Sequence, residues 1–580
     1  MKIIFLSLIF LIVSFAQNKD EWQTYFEKSG FTGTSSYEET MKYFKKLDEN
    51  SDYAKLITFG ISPQGRELNY LIVSDKSFTP ANAKDSGKPV ILIINGIHAG
   101  EIEGKDALMI LLREILITKE KEELIDDVIL LIIPIFNVDG HERSNKYNRI
   151  NQNGPEEMGW RTTAQNLNLN RDWMKADAPE MQAMLKLFSE WLPDFLIDNH
   201  STDGADYQYT ITFGIEYFNN SYIETKNMLK DDFAPFLHKK VNEAGYQSYP
   251  YVGLRNWSAG LESGITEYPA SPRLSNGYAA IQNRPALLVE THMIKPYKER
   301  VYSTKAANEA VIEFCSLNKK KLIELNKKAD DNSIINLTND DQKLPLQFKL
   351  SDKSVKVPFK GMRYYKEKSD ISGSEKIVYT DEKINMEIQL FNDPQVVKEI
   401  TVPEMYIIPK EWFHIIDRIK LHGIDVNVLE EDKTFDVKRY RFTDVKLTET
   451  SFEGRQRASF TTNEYYEKVK VPAGSFLVST KQREVRIITH LLEPEGDDSF
   501  MKWGFFNAVL EQKEYFEPYV MEKLASEMLK EDPQLLIEFE EKLNLDEEFR
   551  NSSFSRLNFF YTRSPYYDSH FNVYPVLRVE

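Results

Sequence analysis

The chain has 580 residues, of which 41% are hydrophobic and 12% aromatic, enough apolar material to bury more than one core, so two or three domains are expected. Its 73 Lys and Arg stand against 90 Asp and Glu, a formal charge of −17, with no basic block above that background; this excludes nucleic acid and anionic membrane surfaces as partners. Cys315 is the only cysteine, which excludes a disulfide framework and leaves the fold to rest on its core.

In chain order, Met1-Lys2 precedes an apolar run from Ile3 to Ala16 that ends in Ser14-Phe15-Ala16 before Gln17-Asn18-Lys19-Asp20. The run is too short to span a bilayer and has the charged start, apolar middle and small-residue exit of a secretory signal. Residues 1–16 are therefore expected to be a signal peptide, with the mature protein exported to the periplasm or beyond. No Cys follows the run to carry a lipid, and no later segment is apolar enough for a membrane span.

Residues 17–328 read as an α/β domain. Val90 to Asn95, Val128 to Phe136, Asp194 to Asp198 and Ala286 to Val289 are near-continuous aliphatic runs of strand length, as in strands covered on both faces of a mainly parallel sheet. Between them, Lys105 to Ile117 puts Leu108, Leu111, Leu112 and Ile115 on one helical stripe, and Glu180 to Trp191 does the same with Met181, Met184, Leu185 and Phe188. The fold class expected is α/β, a mainly parallel mixed sheet with helices on both faces, followed by a β-rich accessory region and a C-terminal helical segment.

In such sheets reactive groups collect where strands end at their carboxyl edge. The first run exits into His98-Ala-Gly-Glu101, half of a plausible zinc site, because a His and a Glu three apart at a helix start project to one side and zinc accepts both donor types. The second exits into Asn137-Val-Asp139-Gly140, the third into His200-Ser201, and the fourth into Glu290-Thr291-His292. Any one of these occurs by chance as a surface turn or a satisfied core histidine; their combination on successive strand exits is more specific.

The region from Gly60 to Tyr297 resembles the zinc carboxypeptidases of the carboxypeptidase A type. It matches in order: Gly60-Ile-Ser-Pro-Gln-Gly65-Arg66, the His-x-x-Glu, the Asn-x-Asp-Gly turn, Asn168-Leu-Asn170-Arg171-Asp172, the late His200 and a strand ending in Glu290. Ser275 to Met293 further resembles bacterial exported members. The resemblance implies one Zn2+ ion held by His98, Glu101 and His200, with Glu290 as general base. Arg161 would stabilise the oxyanion, Arg149 being the runner-up. Asn170 and Arg171 would take the free C-terminal carboxylate of a peptide substrate, and Tyr268, 22 residues before Glu290, would close the pocket.

Two departures stand out. The family often has an acid two positions before the Asn-Arg pair to orient the first zinc histidine, where this chain has Asn168. The loop Tyr268 to Ser275 differs from the segment that usually sets side-chain preference, and its Arg273 is expected either in the pocket, selecting an acidic terminal residue, or in solvent.

Beyond Lys328 the pattern changes to period-two alternation, as in Ser354-Val-Lys-Val-Pro-Phe-Lys and Lys468-Val-Lys-Val-Pro472, predicting a β-rich accessory region over 329–480. Residues 481–580 return to helical patterns, notably Tyr519 to Leu529 and Pro533 to Leu543. The expected activity is a zinc metallocarboxypeptidase hydrolysing C-terminal peptide bonds; the alternatives are a zinc amidohydrolase of small N-acyl amino acids and a non-catalytic binding relative.

Overall fold

The computed structural model describes residues 21–75, 78–218, 221–335, 337 and 343–580. The expected signal segment, 1–16, lies outside them. Among the described residues no helix is long and apolar enough to cross a membrane.

The strands of the first half are β1 (Ala54–Ile61), β2 (Glu67–Val73), β3 (Val90–Asn95), β4 (Ile129–Ile133), β5 (Phe195–Thr202), β6 (Ile211–Ile215), β7 (Ser248–Pro250), β8 (Gly253–Leu254), β9 (Ile265–Thr266) and β10 (Ala286–His292). All except β8 and β9 form one sheet in the order β1-β2-β4-β3-β5-β10-β6-β7. Its centre, β4-β3-β5-β10, is parallel, while β1, β2 and β6 join it antiparallel. Every residue of β3 and β4 is buried, which accounts for their unbroken aliphatic composition.

Side chains alternate between two layers, as the pleat requires. Ile91 and Ile93 of β3 pack with Leu108, Leu111 and Val301 from the helices Glu103–Leu116 and Tyr297–Leu317. Leu92 and Ile94 point the other way, toward Met181, Met184 and Tyr278 from the helices Pro179–Trp191 and Ser275–Ile281. Helices thus cover both faces, and the strand runs and the two helical stripes fall where periodicity placed them.

The later strands are β11 (Lys343–Leu350), β12 (Val355–Lys368), β13 (Glu375–Phe391), β14 (Pro394–Thr401), β15 (Met405–Ile408), β16 (Asn427–Val428), β17 (Lys433–Leu447), β18 (Ala458–Val471), β19 (Phe476–Ser479) and β20 (Leu577–Val579). They form a β11-β14 pair, a sheet β12-β13-β9-β8 that recruits two strands of the first half, and a sheet β16-β19-β15-β20-β17-β18. Residue 328, the expected boundary, falls inside the helix Lys319–Ile335, whose buried Leu322, Leu325, Asn326, Ala329 and Ser333 continue one stripe through it. The C-terminal segment is largely helical, as expected, and its last strand, β20, returns to pair with β15 and β17. Tyr406, Ile408, Ile487, Leu491 and Trp503 share one core with Trp173, Met181 and Tyr278, so the later half is packed onto one helical layer of the first sheet.

Candidate metal centre and substrate cleft

Register brings the strand exits together. Asn95 of β3 sits opposite Asn199 of β5, and His200 of β5 opposite Glu290 of β10, so three neighbouring parallel strands deliver their polar ends to one edge. His98 and Glu101 lie in a turn before the helix that starts at Glu103, closed by the Glu101 amide donating to the His98 carbonyl at 2.9 Å. Two glycines allow this turn to meet the Trp160-Arg161 segment. A Cβ on Gly100 would stand 2.7 Å from the Gly159 carbonyl, and one on Gly159 would stand 2.7 Å from the Ala99 carbonyl.

His98, Glu101 and His200 are all buried, with ligand atoms within 4.8 Å of one another. Glu101 Oε2 lies 3.2 Å from His98 Nδ1 and 2.8 Å from His200 Nδ1. The opposite ring nitrogens are occupied: His98 Nε2 lies 3.0 Å from Asn168 Oδ1, and His200 Nε2 lies 2.8 Å from Asp198 Oδ2. Since both of those oxygens accept, each Nε2 carries a proton; Nδ1 of the neutral His98 ring turns a lone pair toward Glu101, and Nδ1 of His200 would do the same once a cation displaces its proton. Three electron-pair donors facing one another is the arrangement a divalent cation resolves, and two imidazoles with one carboxylate is a catalytic type of zinc donor set. The residues fit the ion.

The electrostatics agree. Burial, helped by Arg161, pushes His98 down to about 4, so its ring is neutral at pH 7. Burial also opposes charge on His200, but Asp198 and Glu101 outweigh it and hold that ring well above its usual value. For Glu101, burial is outweighed by His98, Arg149 and His200, and the carboxyl stays well below its ordinary range. Its second oxygen, Oε1, accepts from Arg149 at 2.6 Å and from Arg161 at 3.3 Å.

A cleft of about 550 Å³ opens over this centre, with His98, Glu101, Arg161, Arg171, Tyr251 and Glu290 among its walls. Asn170 and Arg149 line it as well. Glu290 is 8% exposed and its Oε2 has no hydrogen-bond partner. Burial, together with the Glu101 and Asp198 charges, pushes its pKa up to about 8, against the pull of His200 and Arg161. Burial and the neighbouring Arg161 both lower the pKa of Arg171, so the cleft holds two cations close enough to disfavour each other and to favour an anion. The Arg149 side chain is 9% exposed and tied to Glu101 and Gln152, whereas that of Arg161 is 41% exposed with one longer contact.

Tyr268 stands elsewhere. It is half-exposed and its hydroxyl donates to the carbonyl of Phe348 in β11, outside the cleft wall. The loop that follows is pinned to the C-terminal segment, Ser271 Oγ donating to Asp498 Oδ2 at 2.6 Å, and no chain interval reveals such an anchor. Arg273 is neither in the pocket nor in solvent, but paired with Asp498 at 2.6 Å and stacked over Trp503. Tyr251 is the tyrosine on the cleft wall, beside Glu290, whose charge raises the tyrosine's pKa.

Several contributors escaped sequence reasoning. Asp198 shares a strand face with His200 two positions on, a legible i, i+2 signal, and accepts from Ser275 Oγ at 2.5 Å. Asn168 is held from outside the sheet domain, its amide donating to Glu453 Oε2 at 3.2 Å, a contact across the tertiary structure that has no local signature.

A parallel-centred α/β sheet with this donor set at its carboxyl edge defines a metallopeptidase-type domain. Residues 40–212 match the model of the zinc carboxypeptidase family; the match contains His98, Glu101, Arg149, Arg161, Asn170, Arg171 and His200 and ends before Glu290. Carboxypeptidase 2 of Trichophyton rubrum is 22% identical over 496 residues, covering 82% of this chain and 85% of that protein. Carboxypeptidase 2 of Trichophyton equinum is 21% identical over 474 residues, covering 76% and 78%. A metallo-carboxypeptidase from Burkholderia cenocepacia aligns over 49% of this chain and 70% of its own, with 17% identity and a TM-score of 0.37.

Proposed function

We propose that the protein is an exported zinc carboxypeptidase that removes the last residue from peptides with a free C-terminus, by a general-base mechanism centred on Glu290. One observation carries this reading: the buried His98-Glu101-His200 donor set lies at a cleft whose walls also carry the Glu290 carboxyl and the guanidinium groups of Arg149, Arg161 and Arg171. One Zn2+ held by the three side chains would supply Lewis acidity to a water and to the scissile carbonyl. Arg171 receives the terminal carboxylate through its guanidinium fork, and the Asn170 amide adds a hydrogen bond. Glu290 takes the proton from the attacking water on its carboxylate and returns it to the nitrogen as the C–N bond breaks, so the amine leaves neutral. Arg161, the less committed of the two neighbouring arginines, donates to the carbonyl oxygen as negative charge develops there. Tyr251 takes the wall position expected of Tyr268.

In this reading the catalytic unit runs to the end of the helix at Ile335, and residues 343–580 buttress it. Export rests on the apolar segment 1–16. The test is release of the terminal amino acid from a peptide series, each member paired with its C-terminal amide, with and without chelator. Free-acid peptides should be cut, amides much more slowly, and chelator should stop both. Equal cutting of amides, or faster hydrolysis of N-acyl amino acids than of any peptide, would overturn the assignment.

A further inference from the structure

Beside the cleft lies a second recess of about 60 Å³ whose walls include Ala205, Val252, Leu254, Trp257, Leu261 and Phe359. A volume of that size corresponds to roughly four water sites, which is also the scale of one aliphatic side chain. The recess shares Thr202, Asp203 and Tyr251 with the cleft but neither Asn170 nor Arg171. Where it meets the cleft the recess is bounded by Thr202, Asp203 and Tyr251 and not by the carboxylate clamp, so it is placed to receive a part of a bound peptide other than its terminal carboxylate.

Its far wall comes from the accessory region. Phe359 is carried by β12, which is docked to the sheet domain through Gln208: the side-chain amide donates to the carbonyls of Gly361 at 3.0 Å and Ile384 at 2.9 Å. The Lys360 amide donates to the Tyr209 hydroxyl at 3.0 Å, and the Phe359 ring meets the Tyr209 ring edge-on at 5.5 Å. The floor is thus fixed. Trp257, on the loop after β8, is 63% exposed at the rim, an indole face left in solvent next to an apolar hollow. A large exposed aromatic rimming a concave apolar site is a recognised mark of a binding position.

Resting on the carboxypeptidase reading, we infer that this recess is an upstream subsite that takes an aliphatic side chain of the peptide, on the amino side of the residue next to the scissile bond, with Trp257 folding over it. The accessory region then selects substrate as well as supporting the fold.

The experiment uses the full chain and peptides with a constant C-terminal dipeptide preceded by three glycines, in which Leu replaces Gly at each of the three positions in turn. At one position Leu should raise kcat/KM about tenfold over the glycine peptide, the scale for burying part of one aliphatic side chain, and mainly through KM. Trp257→Ala should bring that ratio close to one, and Trp257→Phe should restore most of it; Trp257 is exposed, so neither change disturbs a core. A ratio near one at all three positions in the unmodified protein, or a tenfold ratio that survives Trp257→Ala, would overturn the subsite. Failure to release the terminal residue from the all-glycine peptide would overturn the carboxypeptidase reading instead.

Discussion

Replacing Glu290 by Gln keeps the shape of the side chain and removes its capacity to take a proton. A positioned general base contributes about 10²–10⁴-fold, so kcat should fall by that factor, about 3–5 kcal/mol of barrier, while zinc content stays the same. The structure adds a second, opposite effect on stability. In the metal-free protein the Glu290 carboxyl has a pKa of about 8 against an ordinary 4.5, because burial leaves its charge unsolvated. The fold therefore holds this proton more tightly than the unfolded chain does. This group penalises the fold little below pH 4.5, and the penalty grows as pH rises until it levels off near 8; at pH 7 it amounts to about 3 kcal/mol. Gln carries no such titration. Chelator-treated Glu290→Gln should melt higher than the chelator-treated parent at pH 7.5, and the difference should shrink to about a fifth by pH 5. The assays are stopped-time peptide hydrolysis, zinc stoichiometry and thermal melts at the two pH values. A variant with activity within threefold of the parent, or one that loses its zinc, would refute the role assigned to Glu290.

Arg171→Ala should lower kcat/KM on free-acid peptides about 10–100-fold, the scale of a lost charged hydrogen-bond pair, and leave the slow cutting of C-terminal amides little changed; the comparison is made on matched peptide pairs. Asp198→Asn removes the charge that fixes the His200 ring through Nε2 and should weaken zinc binding about 10–100-fold, read by competition with a chromogenic chelator. Because His200 holds its proton well above the usual imidazole range in the metal-free protein, zinc must displace that proton. Zinc affinity should then rise from pH 6 to pH 8 with release of a proton, measured calorimetrically in buffers of different ionisation enthalpy; a pH-independent affinity would contradict it.

His98, Glu101, His200 and Glu290 were legible because each follows an unbroken aliphatic run, and such runs in a parallel sheet end at one edge. The runs themselves, the stripes of Leu108 to Ile115 and Met181 to Phe188, and the alternation after residue 328 are local periodicities, set by how a strand or a helix repeats along its own axis. Contacts made across long chain separations have no such repeat. The presence of Tyr251 rather than Tyr268 on the cleft wall, the burial of Arg273 against Asp498 and Trp503, and the reach of Glu453 to the amide behind Asn168 depend on how the accessory strands dock onto the sheet domain. The amino-acid order by itself determined the elements and the chemical types offered at their ends. Only the tertiary packing decided which of those side chains share the cleft, because that is settled by the shape of surfaces brought together from the two halves of the chain.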